Sequence, residues 1–148
     1  MKLKIAWIGK TKEAAIQSLT DEYLKRLGRY IQVEGLSLKD ETVLTGIGGR
    51  VARTHTPQTL VLLDSRGKQF SSEELAKYLG EYQDRNPLPL VFAVGPANGF
   101  SDEARESASL LLSLGKMTLA HELARIVLLE QLYRAFTILK GHPYHLGH

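Results

Sequence analysis

The sequence contains no cysteine among its 148 residues. Disulfide bonds and thiolate metal sites are therefore excluded. A basic stretch followed by a long apolar run, which would indicate a signal peptide, is also missing, because residues 3–8 at the amino terminus have the pattern of a strand. We therefore expect a cytoplasmic protein. The net charge of +3 permits RNA binding but is not the large basic excess of a dedicated RNA-binding protein.

Two common nucleotide-binding motifs are absent as well. A dinucleotide fold would show GxGxxG after its first strand, and a P-loop would show GxxxxGK followed by serine or threonine. The first strand ends in Trp7-Ile8-Gly9-Lys10 and has no second glycine. Neither motif occurs elsewhere in the chain, so these two kinds of phosphate site are excluded.

Hydrophobic patterning predicts strands that alternate with helices, in an α/β fold with a parallel sheet and helices on both faces. With 43% hydrophobic residues and no internal repeats, the chain is expected to form one domain over residues 1–148. Ser71 and Glu74 have the spacing of a capping box at the start of a helix. The predicted order is strand 3–8, helix 11–29, strand 30–37, irregular segment 38–56, strand 60–64, helix 72–82, strand 90–94, a short helix after Ser101, an apolar run at 110–119 and a helix at 120–140.

A glycine-rich turn follows the predicted strand at residues 90–94. It reads Gly95-Pro96-Ala97-Asn98-Gly99, and Ser101 after it is a good N-cap for a helix with an acidic first turn. Glycine in such a turn can take a positive φ or let a ligand approach the bare backbone. The turn is equally compatible with a plain strand-to-helix connection.

The last predicted helix is apolar at twelve of the twenty positions from His121 to Lys140. That is too many for one exposed amphipathic face, and charged residues interrupt it too often for a membrane span. We expect another subunit to cover its second side. Its charged residues Arg125, Glu130 and Arg134 would need partners or a ligand. Thr118 is expected to cap this helix.

Several of these segments together resemble one known family. They are MKLKIAWIGKTK at the amino terminus, LVLLDSRGKQFSSEELA from residue 60, LSLGKMTLAHELAR from residue 112 and EQLYRAFTILKGHPYH from residue 130. The chain is similar over nearly its whole length to the RlmH family of SPOUT methyltransferases. The resemblance implies an α/β-knot fold whose carboxyl-terminal segment forms a trefoil knot, and a homodimer whose active sites form at the interface. It also implies methyl transfer from S-adenosylmethionine to N3 of a pseudouridine in 23S rRNA, within the assembled ribosome.

The resemblance also implies the site residues. Three strand-end loops would bind S-adenosylmethionine through Leu63, Asp64, Gly95, Pro96, Gly99, Gly115, Lys116, Met117, Thr118, Leu119 and Ala120. Core packing is the alternative for Met117 and Leu119. The catalytic residues would be Arg134, His142, Tyr144 and His145, in a tail that closes over the substrate unless it is a disordered end. Arg125 and Arg134 could grip phosphate or the uracil carbonyls. We predict no metal, because no thiolate or carboxylate accompanies the tail histidines.

Two departures from the family pattern leave alternatives open. Pro96 stands where the family commonly has a second glycine, and proline removes a backbone donor and fixes φ. Leu146 stands where the family often has a basic residue. One alternative is therefore a non-catalytic dimer that binds RNA or the ribosome, and another is a SPOUT methyltransferase acting on tRNA. Lys25, Arg26 and Arg29 form either a solvated face or a phosphate contact.

Overall fold

A computed structural model describes residues 1–44 and 57–147. Within them, five strands form one sheet in the order β2-β1-β4-β3-β5, and every neighbouring pair is parallel. The parallel α/β sheet predicted from the sequence is confirmed. The strands are β1 (Lys2–Ile8), β2 (Gln32–Leu38), β3 (Thr59–Gln69), β4 (Leu90–Val94) and β5 (Leu110–Ser113).

Helices cover both faces of this sheet. They are α1 (Ala14–Leu27), α2 (Ser72–Arg85), α3 (Asp102–Ser107), α4 (His121–Leu139) and a short 3₁₀ helix (His145–Gly147). The larger core cluster joins Ile5 and Phe92 of the sheet to α1, α2 and α4. The smaller cluster joins Ala6 and Ala93, which face the opposite way, to Ala104 of α3. Strand β4 is buried along its whole length, as its continuous apolar run predicts.

Strand β3 is longer than the sequence pattern predicted. The expected turn at Asp64 is instead a bulge, because Leu112 of β5 pairs with Leu63 before the bulge and with Lys68 after it. Residues 64–67 are displaced from the ladder at this point. Gly67 crosses so close to β5 that a Cβ on it would lie 2.5 Å from the Leu111 carbonyl. Residue 67 must therefore be glycine, because the backbones of β3 and β5 lie too close together here to leave room for a side chain.

Two helix boundaries also differ from the prediction. Helix α1 begins at Ala14 rather than residue 11, because the preceding amides bind a side chain of α4. Helix α4 has Ala120 as its N-cap residue and no side-chain cap, so the expected Thr118 cap is wrong. The capping box of Ser71 and Glu74 is confirmed, with both hydrogen bonds present. Most of the segment predicted to be irregular, residues 45–56, lies outside the described residues, and the trefoil knot stays a prediction.

No helix in the two described ranges has both the length and the apolarity needed to cross a membrane.

Gly67→Ala should lower the free energy of unfolding by about 2 kcal/mol or more, because the added methyl group meets backbone atoms that cannot move without breaking the β3–β5 ladder. Denaturant titration followed by circular dichroism measures this. Ser65→Ala, in the exposed part of the same bulge, is the matched control and should stay within about 0.5 kcal/mol of the parent. Equal stability of the two variants would contradict the close-packed bulge.

Candidate active site

A cleft of about 320 Å³ opens at the carboxyl edge of the sheet. Its walls are the bulge of β3 and the segments that follow β4 and β5, together with His121 and Ala124 of α4. Ligands of open α/β sheets bind at this edge. The predicted cofactor residues that line it are Leu63, Asp64, Gly95, Pro96, Gly99, Gly115, Met117, Thr118 and Leu119. Lys116 and Ala120 belong to the same segment but are not among its described lining residues.

Two glycines give the cleft an open stretch of backbone. Gly99 has φ of +81° and Gly115 has φ of +138°, and a Cβ built on either would have no described atom within 4 Å beyond its two chain neighbours. Both positive φ values favour glycine over other residues. A ligand can therefore approach the backbone closely at these two positions, beside the apolar side chains of Leu114, Met117 and Leu119.

The other glycine of this wall, Gly95, is required by packing. A Cβ on it would lie 2.9 Å from the ring of Phe100, which is buried. Pro96 next to it accepts a hydrogen bond of 2.9 Å from the amide of Gly99. The carbonyl of Pro96 thus closes the turn through its backbone, a contact that does not depend on the proline ring.

A charged cluster connects the first two walls. Asp64 accepts hydrogen bonds from the backbone amide of Arg66 at 2.8 Å and from its Nε at 3.4 Å. The Nη1 of Arg105 lies 3.6 Å from the other carboxylate oxygen of Asp64. The sequence did not predict a role for Arg105, because its partner Asp64 is distant in the chain. The spacing of three residues between Asp102 and Arg105 indicates only an ion pair within one helix.

The first turns of α4 are anchored to the start of α1. The carboxylate of Glu122 accepts hydrogen bonds from the amides of Lys12 at 3.1 Å and Glu13 at 3.3 Å. Arg125 is 2% exposed, lies 4.1 Å over the ring of Trp7 and donates to Thr11 at 2.8 Å. Burial lowers the pKa of Arg125. The expectation that Arg125 grips phosphate or a base is therefore wrong, because the side chain is enclosed by protein.

The predicted catalytic residues gather at the other end of α4. Arg134 binds Glu130 at 3.1 Å, and its Nη1 lies 3.4 Å from Nδ1 of His145. Nε2 of His145 lies 2.9 Å from the carboxylate of Glu73 in α2. Tyr144 donates a hydrogen bond of 3.0 Å to Glu130. The tail is packed on the helices over these residues, in contrast to a disordered end.

Tyr144 is held from several sides. Its ring packs edge-on against Tyr133, with centroids 4.8 Å apart, and the guanidinium of Arg134 lies 5.1 Å from its centroid. His142 is exposed, and its amide donates to the Thr137 carbonyl at 2.8 Å. Burial, and then the hydrogen bond to Glu130, raise the pKa of Tyr144 to about 12. Tyr144 is therefore a hydrogen-bond donor at neutral pH.

In one chain the cleft and this tail cluster are far apart. His121 lines the cleft and Arg134 belongs to the cluster, so about 20 Å of helix axis separates them at 1.5 Å per residue. The structure brings most of the predicted cofactor residues together and the predicted catalytic residues together, at opposite ends of α4. In the described part of the chain, no group of three His, Asp or Glu side chains could hold a metal ion.

A family model described as "Predicted SPOUT methyltransferase" matches residues 1–145. A protein of Koribacter versatilis named ribosomal RNA large subunit methyltransferase H is 58% identical over 148 residues, covering 100% of both chains. A protein of the same name from Geotalea daltonii is 43% identical and covers 98% of this chain and 99% of its own. The chain belongs to the RlmH family of SPOUT methyltransferases. The predicted family and the predicted methyltransferase class are thereby confirmed.

A solved structure supports the SPOUT fold. A methyltransferase from Legionella pneumophila, solved in complex with the bound cofactor SAM, superposes with a TM-score of 0.50 at 15% sequence identity. The match covers 91% of this chain and 66% of the Legionella chain. At this identity the likeness is evidence of shared fold.

The difference in tyrosinate absorbance between the parent and Tyr144→Phe should titrate with a midpoint near 12 rather than at the ordinary value of 10.0. The raised pKa means that the folded state holds this proton more tightly than the unfolded state. The resulting stabilisation is present below pH 10 and is lost as the pH rises towards 12. Spectrophotometric titration of both proteins is the measurement. A difference midpoint near pH 10 would show that Tyr144 is not held against Glu130.

Proposed function

We propose that the chain transfers a methyl group from S-adenosylmethionine to N3 of a pseudouridine in 23S rRNA, as a cytoplasmic homodimer acting on the assembled ribosome. The cleft at the carboxyl ends of β3, β4 and β5 is the observation that supports this most directly. The full-length similarity to relatives named for large-subunit rRNA supports the substrate class.

The cleft has the composition that an adenosyl group needs. Its volume of about 320 Å³ lies within the usual range for small-molecule sites. Leu114, Met117 and Leu119 offer apolar contacts, and the open space at Gly99 and Gly115 lets a flat base approach the backbone closely. Bound S-adenosylmethionine would supply an electrophilic methyl group. Lys116 and Ala120 flank this slot and would order the segment around it.

The tail cluster has the groups that prepare the acceptor. N3 of pseudouridine must lose a proton before it attacks, and a base whose pKa is near neutrality does this best. Tyr144, with its pKa raised to about 12, is suited to stacking on the base or donating a hydrogen bond to it. His142 and His145 are therefore the candidates for the proton acceptor, and Arg134 would orient the base or a phosphate.

A dimer would bring the two groups of residues together. Methyl transfer requires the methyl carbon and the attacking N3 to lie about 3–3.5 Å apart. The cleft and the tail cluster of one chain are much farther apart than that. Leu123 and Val127 form an exposed apolar stripe on α4, with exposures of 52% and 36%, and Leu119, which precedes the helix, is 39% exposed. The spacing of four residues puts Leu123 and Val127 on one helix face. Burial of this stripe against a second copy would remove apolar surface from water.

An antiparallel pairing of two α4 helices across this stripe predicts the arrangement. The start of α4 in one subunit would then lie beside the later turns of α4 in the other. The partner's tail would then cover the mouth of the cleft. Each active site would combine the cofactor cleft of one subunit with the tail of the other.

Labelled methyl from S-adenosylmethionine should appear on unmethylated ribosomes, and much less on free 23S rRNA or on tRNA, because a chain of this size needs the assembly to present its substrate. The measurement is incorporation into each acceptor, followed by mapping of the modified nucleotide. Label on tRNA would favour the tRNA enzyme. If the parent protein does not bind S-adenosylmethionine, the non-catalytic ribosome-binding dimer would be favoured. Pro96 is the sequence feature that supports that alternative.

A heterodimer with the two defects on different subunits should retain about half of the parental activity, because one of its two composite sites is intact. One subunit would carry Ala97→Trp, which fills the cleft, and the other would lack residues 142–148. Two different affinity tags isolate this heterodimer, and a doubly tagged parent dimer is the control. Each variant homodimer should be inactive. An inactive heterodimer would indicate that each site is complete within one chain.

A further inference from the structure

Arg105 lies where two walls of the cleft meet. Its Nη1 donates to the backbone carbonyl of Phe100 at 2.5 Å and lies 3.6 Å from the carboxylate of Asp64, while its Nη2 binds Asp102. Phe100 belongs to the segment after β4, and Asp64 belongs to the bulge of β3. One guanidinium thus connects both walls. Its side chain is 19% exposed, and the Asp64 side chain is 6% exposed.

The segment after β4 is also held by packing and hydrogen bonds. Phe100 packs into the smaller core cluster beside residues of β3, and the amide of the next residue donates to Glu41 at 3.0 Å. After α3, the amide of Ser109 donates to the Leu60 carbonyl of β3 at 2.8 Å. Among the described residues, Arg105 provides the ionic contact between this segment and the β3 bulge.

Removal of Arg105 would affect Asp64 as well. A carboxylate that is 6% exposed needs compensating charge or hydrogen bonds. Without Arg105 it would keep Arg66, whose side chain is 64% exposed and which belongs to the same bulge. Asp64 would then have no ionic contact to the opposite wall, and the β3 bulge could shift relative to that wall.

We propose that Arg105 is a positioning residue that fixes the width of the cofactor cleft by joining the β3 bulge to the segment after β4. It acts on the ligand through Asp64 and the Phe100 backbone. The inference rests on the proposed function, because the ligand whose affinity reports the cleft width is the methyl donor.

The test compares Arg105→Met with Arg105→Lys, using calorimetric titration of the dimeric protein with S-adenosylmethionine and with S-adenosylhomocysteine. The methionine variant keeps an unbranched side chain but loses every charged contact, and should weaken the binding of both ligands about ten- to hundred-fold. The lysine variant keeps one charge and should recover part of the affinity. kcat at saturating donor should stay close to the parental value. Arg85→Met, an exposed arginine at the far end of α2, is the matched control and should bind as the parent does.

Two results would overturn the inference. Parental affinity in Arg105→Met would mean that the cleft keeps its width without the guanidinium. Loss confined to S-adenosylmethionine, with S-adenosylhomocysteine bound normally, would mean that this cluster acts on the sulfonium charge directly. If the methionine variant does not fold, the lysine variant tests the inference instead. Parental affinity of the lysine variant for both ligands would show that contacts from residue 105 to both walls are not needed. Failure of the parent protein to bind either ligand would instead reject the proposed function.

Discussion

The burial of Arg125 is the constraint on which the position of α4 depends. A guanidinium that is 2% exposed loses most of its hydration, and its compensation here comes from the ring of Trp7 and the hydroxyl groups of Thr11 and Thr20. These partners belong to β1, the following loop and α1. Glu122, one turn earlier, binds the amides that begin α1. The start of α4, and with it the third wall of the cleft, is therefore fixed by two charged residues that do not line the cleft.

The sheet could be predicted because its strands have simple hydrophobic patterns. The bulge in β3 could not be predicted in this way. The run at Leu90–Val94 is apolar throughout, as a strand covered on both faces must be. By contrast, the sequence from Asp64 to Gly67 has the composition of a turn. It stays in the sheet because Leu112 pairs on both sides of it, and that pairing is non-local. A local pattern contains no information about such a partner.

The same limit explains what was missed at the site. The segments that the resemblance assigns to the cofactor are each short and continuous in sequence, and most of their residues line one cleft. The role of Arg105 was not predicted because its partners lie in separate segments of the sequence, Asp64 in the β3 bulge and Phe100 after β4. The contact of Glu73 with His145 was not predicted because it forms only when the tail folds back over α2. Sequence reasoning also grouped Arg125 with Arg134, since composition alone cannot separate a buried arginine from a half-buried one.

The division of charge along α4 favours a composite site over one contained in a single chain. Arg125 is enclosed and serves the fold, whereas Glu130 and Arg134 remain partly exposed and face the tail. On the exposed surface near Arg125 the helix carries Leu123 and Val127, before the turn that holds Glu130. If one chain formed a complete site, its tail would have to cross this apolar stripe to reach the cleft, and the contact of His145 with Glu73 would have to break. A second subunit on the stripe satisfies both requirements, because the tail keeps its contacts and the apolar surface becomes buried.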